Sequence, residues 1–184
     1  MSLPFLKTAN LDLRPLETTD ADGPYLHWFN DPEVCRSNSH FVFPYRREDA
    51  IAYIQTVNSS RTDLVLAIVE RNANRHIGNI ALTGMDAIHR SGEFSIVIGE
   101  KECWGKGYSK EAGGALVDHG FKVLNLNRIH CGTFIDNTAM RKLAEFLGMR
   151  EEGIRRSALF KNGRYVDVVL YGILQQDYNR KTLH

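Results

Sequence analysis

The sequence has few cysteines, no long apolar run and no Cys-x-x-Cys pair. Its three cysteines, Cys35, Cys103 and Cys131, lie far apart, so neither a disulfide framework nor a zinc site is expected, and we predict no metal. No apolar stretch approaches the roughly 18 residues that a membrane span needs, and the N-terminus lacks the layout of a signal peptide. We therefore expect no membrane association and a cytoplasmic location.

An excess of charge of either sign is also missing. Lys plus Arg number 23 against 22 for Asp plus Glu, so no net field draws the protein to a nucleic-acid backbone, and no nucleic-acid partner is expected. Internal repeats, low-complexity tracts and linkers rich in Pro, Gly or Ser are absent as well. With 184 residues, 43% of them hydrophobic, the chain is expected to form one domain over residues 1–184.

Hydrophobic periodicity predicts alternating groups of strands and helices. The predicted strands are an edge strand from Leu11 towards Pro15 and segments 64–70, 75–82, 93–98, 128–134, 155–160 and 165–174. The predicted helices cover 18–28, 47–57, about 108–123 and 137–147. An Asn-Gly turn joins the last two strands as a hairpin. This order indicates a mixed sheet with helices packed on it.

A glycine-bearing turn between a strand and the longest helix is the most informative segment. Residues 93–112 read EFSIVIGEKECWGKGYSKEA. Such a turn directs several backbone N–H groups at one point, where the helix dipole adds partial positive charge. Gly105 and Gly107 would let a phosphate approach the backbone, and Lys106 and Lys110 add full charges. These residues predict an anion site, although glycine in such a turn can also serve its geometry alone.

Two common phosphate-binding motifs do not fit this turn. Five residues separate Gly99 from Gly105, where a P-loop has four, and Lys106 is followed by glycine instead of Ser or Thr. No G-x-G-x-x-G is present. P-loop and dinucleotide-binding folds are therefore disfavoured.

Several further segments follow the turn in order. They are LNLNRI at 124–129, NTAM at 137–140, FLGMREEG at 146–153 and KNGRY at 161–165. Together with WGKGYS at 104–109, they resemble the GNAT superfamily of N-acetyltransferases. Within it, the closest resemblance is to the branch of ribosomal-protein N-terminal and spermidine acetyltransferases.

The resemblance implies the GNAT acyl-CoA N-acyltransferase fold, an α/β (α+β) fold with a mixed, centrally splayed β-sheet and helices on both faces. Acetyl-CoA, the implied cosubstrate, would lie between the splayed strands 93–98 and 128–134. The implied coenzyme-binding residues are Val97, Ile98, Trp104, Gly105, Lys106, Gly107, Tyr108, Ser109, Asn137 and Lys142. Asn137 can equally be a plain helix cap, and Lys142 a solvated surface residue.

For the chemistry, the resemblance implies direct acetyl transfer to a primary amine with a glutamate acting through water as base. Glu93 stands at that position, where it is either the base or an exposed strand carboxylate. The position at which many relatives place a tyrosine acid is Ala144. The source of a proton for the leaving thiolate therefore stays open among Tyr108, Ser109 and Cys131.

Trp28, Tyr45 and His89 are the predicted acceptor-binding residues, although Trp28 and Tyr45 can equally form a satellite core under a loop. The expected acceptor is a protein N-terminal α-amine or an amino sugar, with spermidine or another polyamine as the alternative. An α-amino group titrates near pH 7.7–8.0 and a lysine-like amine near 10.4, so the former reaches its neutral form more easily. A non-catalytic acyl-CoA-binding module stays open, as does the choice of monomer or homodimer.

Overall fold

The computed structural model describes residues 3–182, and its centre is one mixed sheet of eight strands. The strands are β1 (Leu6–Lys7), β2 (Leu11–Pro15), β3 (Leu64–Glu70), β4 (Arg75–Asp86), β5 (Ser91–Ile98), β6 (Arg128–Phe134), β7 (Arg150–Lys161) and β8 (Arg164–Leu174). Their spatial order is β1-β2-β3-β4-β5-β6-β8-β7. Neighbouring strands run antiparallel except β5 and β6, which are parallel.

The parallel pair separates along its length. β5 and β6 pair over three residues only, and the last of these pairs joins Glu93 to His130. Beyond it, β5 continues to pair with β4 as far as Ile98, while β6 pairs with β8 as far as Phe134. The predicted central splay is therefore confirmed, and its closed end lies at Glu93 and His130.

Helices cover both faces of this sheet, as predicted. They are α1 (Tyr25–Trp28), α2 (Arg47–Ser59), α3 (Tyr108–Lys122), α4 (Thr138–Phe146) and α5 (Gln175–Thr182). On one face α3 and α4 bury Leu116, Phe121 and Leu143 against the sheet. On the other face α1 and α2 bury Tyr25 and Ile54, and each such side chain contributes about 1.5–3 kcal/mol. No helix within residues 3–182 is long and apolar enough to cross a membrane.

Two local predictions were wrong, and one helix was not predicted. β2 is not an edge strand, because Leu6 and Lys7 pair with it as β1. The predicted helix 18–28 is broken at Gly23, whose ψ of −159° is extended, since the proline that follows disfavours the helical region for the residue before it. The result is a 3₁₀ turn at Thr18–Asp22 followed by the one-turn α1. Finally, α5 was missed, because its polar sequence has no strong apolar period.

Candidate active site

The turn that leads into α3 has the backbone geometry of an anion site. Gly105 and Gly107 have φ of 76° and 86°, and a Cβ added to either would meet no atom within 4 Å. Gly107 is the N-cap of α3, and no side chain caps the helix. The N–H groups of Lys110 and Glu111 donate to the Gly107 oxygen. The preceding amides belong to the first turn of a helix, where N–H groups have no intrahelical acceptor and are suited to bind a phosphate.

Side chains on both sides fix this turn to the sheet. The Tyr108 hydroxyl donates to Glu70 at the end of β3 over 2.6 Å. Glu70 also accepts from Arg75, 3.1 Å away on β4, and Arg75 pairs in turn with Glu102. On the other side, Trp104 donates from Nε1 to the Ile98 oxygen over 2.8 Å. The turn is therefore held in place before any ligand arrives.

The lysines near the turn remain at the surface. Lys106 is exposed, and Lys110 places its ammonium 4.8 Å from the centre of the Phe146 ring. Ser109 lies half-buried in the first turn of α3, and Lys142 is exposed on α4. The structure thus brings the predicted turn residues together. Lys142 lies on the neighbouring helix α4, which contacts the turn through Phe146 and Lys110.

Beyond Glu93 and His130 a gap separates β5 from β6. The alternation of hydrogen bonds along β5 determines which of its backbone groups face this gap. Gly99 donates to Ile77 over 2.9 Å, so in the register of β4 and β5 the next bonded pair is Val97 with Asn79. The Val97 oxygen indeed lies so close to Gly78 that a Cβ there would be 2.2 Å from it. The backbone of Val97 is therefore directed at β4, and that of its neighbours at the gap.

Ile96 and Ile98 are the residues of β5 whose N–H and C=O groups face away from β4. The Ile98 oxygen already accepts from Trp104, which leaves the Ile98 N–H and both groups of Ile96 for a ligand. Ile96 was not predicted from the sequence, because only the observed register distinguishes it from Val97. On β6, Ile135 donates to Asp167, and by the same alternation the backbone groups of Gly132 and Phe134 face the gap.

Asn137 begins α4 at the open end of the gap. Its side-chain oxygen accepts from the Met140 N–H over 3.1 Å, so it is the N-cap of the helix. Its side-chain nitrogen makes only a long contact, 3.5 Å, with the Ser37 oxygen. This amide can therefore cap the helix and donate to a ligand at the same time.

Asn137→Ala separates these two roles. Loss of the cap is expected to cost about 1 kcal/mol, which lowers Tm by about 2–4 °C for a chain of this size. If the amide also binds the coenzyme, the Kd for acetyl-CoA rises about fivefold, the loss of one neutral hydrogen bond. Calorimetry of Asn137→Asp provides the control, since Asp caps equally well but has no N–H to donate. An acetyl-CoA affinity unchanged in both variants would leave Asn137 as a cap alone.

Glu93 and His130 lie side by side at the closed end of the splay. The residues that follow them, Phe94 and Cys131, are buried in the core under α3, so Glu93 and His130 point to the opposite face of the sheet. We call this face, which α1 and α2 partly cover, the acceptor face. Glu93 is exposed. His130 was not selected from the sequence, and its proximity to Glu93 follows from the register.

The imidazole of His130 has an unusual environment. Burial lowers its pKa below the ordinary value, and the charge of Arg128 acts in the same direction. Its Nδ1 is buried and has no hydrogen-bond partner among residues 3–182. A neutral imidazole with a free nitrogen beside a carboxylate is suited to accept or relay a proton.

Two of the open candidates for a general acid are poorly placed to donate a proton. Burial raises the pKa of Cys131 to about 12, far above that of an ordinary thiol, about 8.5. Proton transfer from Cys131 to a coenzyme thiolate would therefore be uphill. The Tyr108 hydroxyl donates to Glu70, and this bond raises its pKa. Ala144 is fully buried and offers no donor, so of the groups considered only Ser109 stays open as an acid.

Trp28 and Tyr45 belong to the satellite core on the acceptor face. Trp28 is 3% exposed, donates from Nε1 to Glu100 over 2.8 Å and packs against His76. Tyr45 is half-buried, with its hydroxyl 3.2 Å from that of Tyr25. Trp28 packs beneath the acceptor loop (residues 29–46), in the same buried cluster as Phe29 and Cys35. Tyr45 also lines a surface cavity of about 660 Å³ in that loop.

His89 lies away from the coenzyme turn and from Trp28 and Tyr45. It is in the turn that connects β4 to β5, where Asp86 accepts from its ring over 2.9 Å and raises its pKa. β5 extends from this turn towards Ile98, so its eight residues, about 26 Å of strand, separate His89 from the coenzyme turn. The structure does not bring His89 to Trp28 and Tyr45.

The two acidic residues of the acceptor loop, Asp31 and Glu33, share one cation. Lys101 places its ammonium 2.9 Å from both Asp31 and Glu33. Arg46 pairs with Asp49 over 2.9 Å. Because residues 29–46 also contain two arginines, Arg36 and Arg46, the loop has no excess negative charge to offer a cation.

Comparison with known proteins agrees with this architecture. The family described as "Acetyltransferase (GNAT) domain" matches residues 10–150. A spermidine N(1)-acetyltransferase of Vibrio cholerae is 32% identical over 92% of this chain and 96% of its own. A putative ribosomal N-acetyltransferase of Bacillus subtilis, YdaF, is 34% identical over 55% of each. The crystal structure of the V. cholerae spermidine N-acetyltransferase with CoA and spermine superposes with a TM-score of 0.83, at 28% identity over 93% of this chain and 99% of that one.

The turn with its free amides, the gap with its unpaired strand edges and the family match support one conclusion. Acetyl-CoA is the cosubstrate, and the reaction is acetyl transfer. The chain belongs to the GNAT family and is an acetyl-CoA-dependent acetyltransferase.

Proposed function

We propose that the chain, acting as one domain, acetylates a primary amine of low pKa, a protein N-terminus or an amino sugar, in preference to a polyamine. The observation that favours this acceptor is the pairing of Lys101 with Asp31 and Glu33. A polyamine is attracted by uncompensated carboxylates, and here the two carboxylates share an internal cation.

The proton balance supports the same choice. Deprotonating an amine with a pKa of about 10.4 at pH 7.4 costs about 4 kcal/mol of free energy, whereas deprotonating an α-amino group costs less than about 1 kcal/mol. Glu93 and His130 remove the proton of the bound amine, directly or through water, as it attacks the thioester carbonyl. The departure of the thiolate needs little help from an acid, because a thiol pKa near 8.5 makes it a good leaving group.

Coenzyme binding in this proposal uses the groups that the fold leaves unpaired. The amides from Gly105 to Ser109 hold the pyrophosphate, with Lys106 nearby. Ile96 and Ile98 pair with the pantetheine arm as an added strand would. These contacts aim the thioester at the closed end of the gap, where Glu93 and His130 lie.

Spermidine is the second candidate, because relatives that span nearly the whole chain are spermidine acetyltransferases. A panel of acceptors decides between the two. We expect kcat/KM at pH 7.4 to be at least several-fold higher for a short peptide or an amino sugar than for spermidine, since the neutral fraction of a low-pKa amine is larger. Release of the free coenzyme thiol and mass spectrometry of the product give the rate and the site of acetylation. A tenfold advantage for spermidine would reverse the ranking and identify a polyamine enzyme.

A further inference from the structure

A small basic pocket opens on the acceptor face, outside the coenzyme site. Its volume is about 160 Å³, and it lies where the acceptor loop, the end of β6 and the turn between β7 and β8 meet. The lining residues are Arg36, Phe134, Asp136, Lys161, Asn162, Arg164 and Val166. Three of these side chains are cationic and one is a carboxylate.

The charges of this pocket are only partly compensated. Arg164 pairs with Asp136 over 2.8 Å. Lys161 donates to the His40 backbone oxygen, which neutralises no charge. Arg36 is exposed and makes no ion pair within the described part of the chain. Three cations against one carboxylate leave the lining of the pocket with a net charge of about +2.

The pocket lies on the same face as the proposed base. Phe134 and His130 are both even-numbered residues of β6 and therefore point to the same side of the sheet. Four residues of strand separate them, about 13 Å. Between them Gly132 is exposed and has no side chain, so a ligand can cross it. An acceptor with its amine at Glu93 and His130 can thus extend into the pocket.

We propose that the acceptor is an amine that bears a diphosphate, as in a nucleoside-diphosphate-linked amino sugar, and that the pocket binds this diphosphate. This inference rests on the proposed function and narrows its substrate class. The guanidinium group of Arg36 presents paired donors that match phosphate oxygens, and Arg164 pairs with Asp136 through Nη2. The two negative charges of a diphosphate match the net charge of the pocket. A single peptide carboxylate would balance only half of the pocket's positive charge. A polyamine, which is itself a cation, would be repelled.

Arg36 is the residue on which to test this inference, because it lacks an internal partner whose loss would disturb the fold. We expect Arg36→Gln to raise the KM for a nucleoside-diphosphate-linked amino sugar about fivefold, since an exposed ion pair is worth up to about 1 kcal/mol. kcat and the KM for the methyl glycoside of the same amino sugar should not change. Arg36→Glu should raise the first KM further and increase kcat/KM for spermidine. Arg61→Gln, which removes an exposed arginine between α2 and β3, is the matched control and should change neither KM.

Each result has a definite meaning. An Arg36→Gln variant that leaves the KM for the sugar nucleotide unchanged, or raises it equally for the methyl glycoside, would overturn the diphosphate pocket. An Arg36 dependence seen only with an acidic peptide would overturn it in favour of a carboxylate. The wild-type ranking of low-pKa amines against spermidine tests the proposed function separately, because it is measured without any substitution.

Discussion

Glu93→Gln is expected to lower kcat about 10²- to 10⁴-fold, the usual loss when a positioned base is removed. The substitution keeps the size and hydrogen-bonding shape of the side chain but removes its ability to accept a proton at neutral pH. Glu93 is exposed on the acceptor face, so the change leaves no buried charge unpaired. The Kd for acetyl-CoA should therefore remain that of the parent protein.

The pH profile tests the same assignment. The control is Glu48→Gln, which alters an exposed glutamate on α2 and should leave kcat unchanged. If Glu93→Gln retained the parental kcat from about pH 6 to about pH 9, Glu93 would have no part in proton transfer. The base would then be His130 alone or solvent.

Gly107→Val is expected to weaken acetyl-CoA binding at least tenfold. The parent residue has φ of 86°, where a side chain costs about 1–3 kcal/mol of folded-state stability with or without ligand. The loss of affinity comes from the clash with the ligand, of which about 1.4 kcal/mol already corresponds to a factor of ten. The space that the valine would enter contains no protein atom within 4 Å of its Cβ. The side chain therefore meets the pyrophosphate and not the protein.

Gly84→Val controls for backbone strain, because Gly84 also has a positive φ, 56°, and open space around its Cβ. It lies on β4, away from the turn. Both variants should lose stability in thermal unfolding, but only Gly107→Val should lose affinity in calorimetry. Tight acetyl-CoA binding by folded Gly107→Val would show that the pyrophosphate lies elsewhere.

Much of the fold follows from local signals in the sequence. Period-two and helical patterns predicted seven of the strands and the three longest helices, because each of these elements buries one apolar face. The asparagine that begins α4 and the Asn-Gly turn of the last hairpin were read from their own local chemistry. β1 and α5 were missed, since two residues form no pattern and α5 is mostly polar.

The site was less predictable, because its geometry depends on register. The glycine turn could be identified because φ and helix termini are local properties. Whether Val97 or Ile96 faces the gap depends on which pairs of β4 and β5 are hydrogen-bonded, and this is set by long-range packing. The pairing of His130 with Glu93 and the convergence of Arg36 and Lys161 likewise join segments far apart in the sequence.

A crystal structure with bound coenzyme A tests whether the cosubstrate occupies the gap between β5 and β6. We expect the pyrophosphate to accept hydrogen bonds from the amides of Gly105 to Ser109, and the pantetheine to pair with Ile96 between β5 and β6. The sulfur should then lie at the closed end of the gap, close to Glu93 and His130. A pyrophosphate bound away from this turn, or a sulfur on the face of the sheet covered by α3, would contradict this placement.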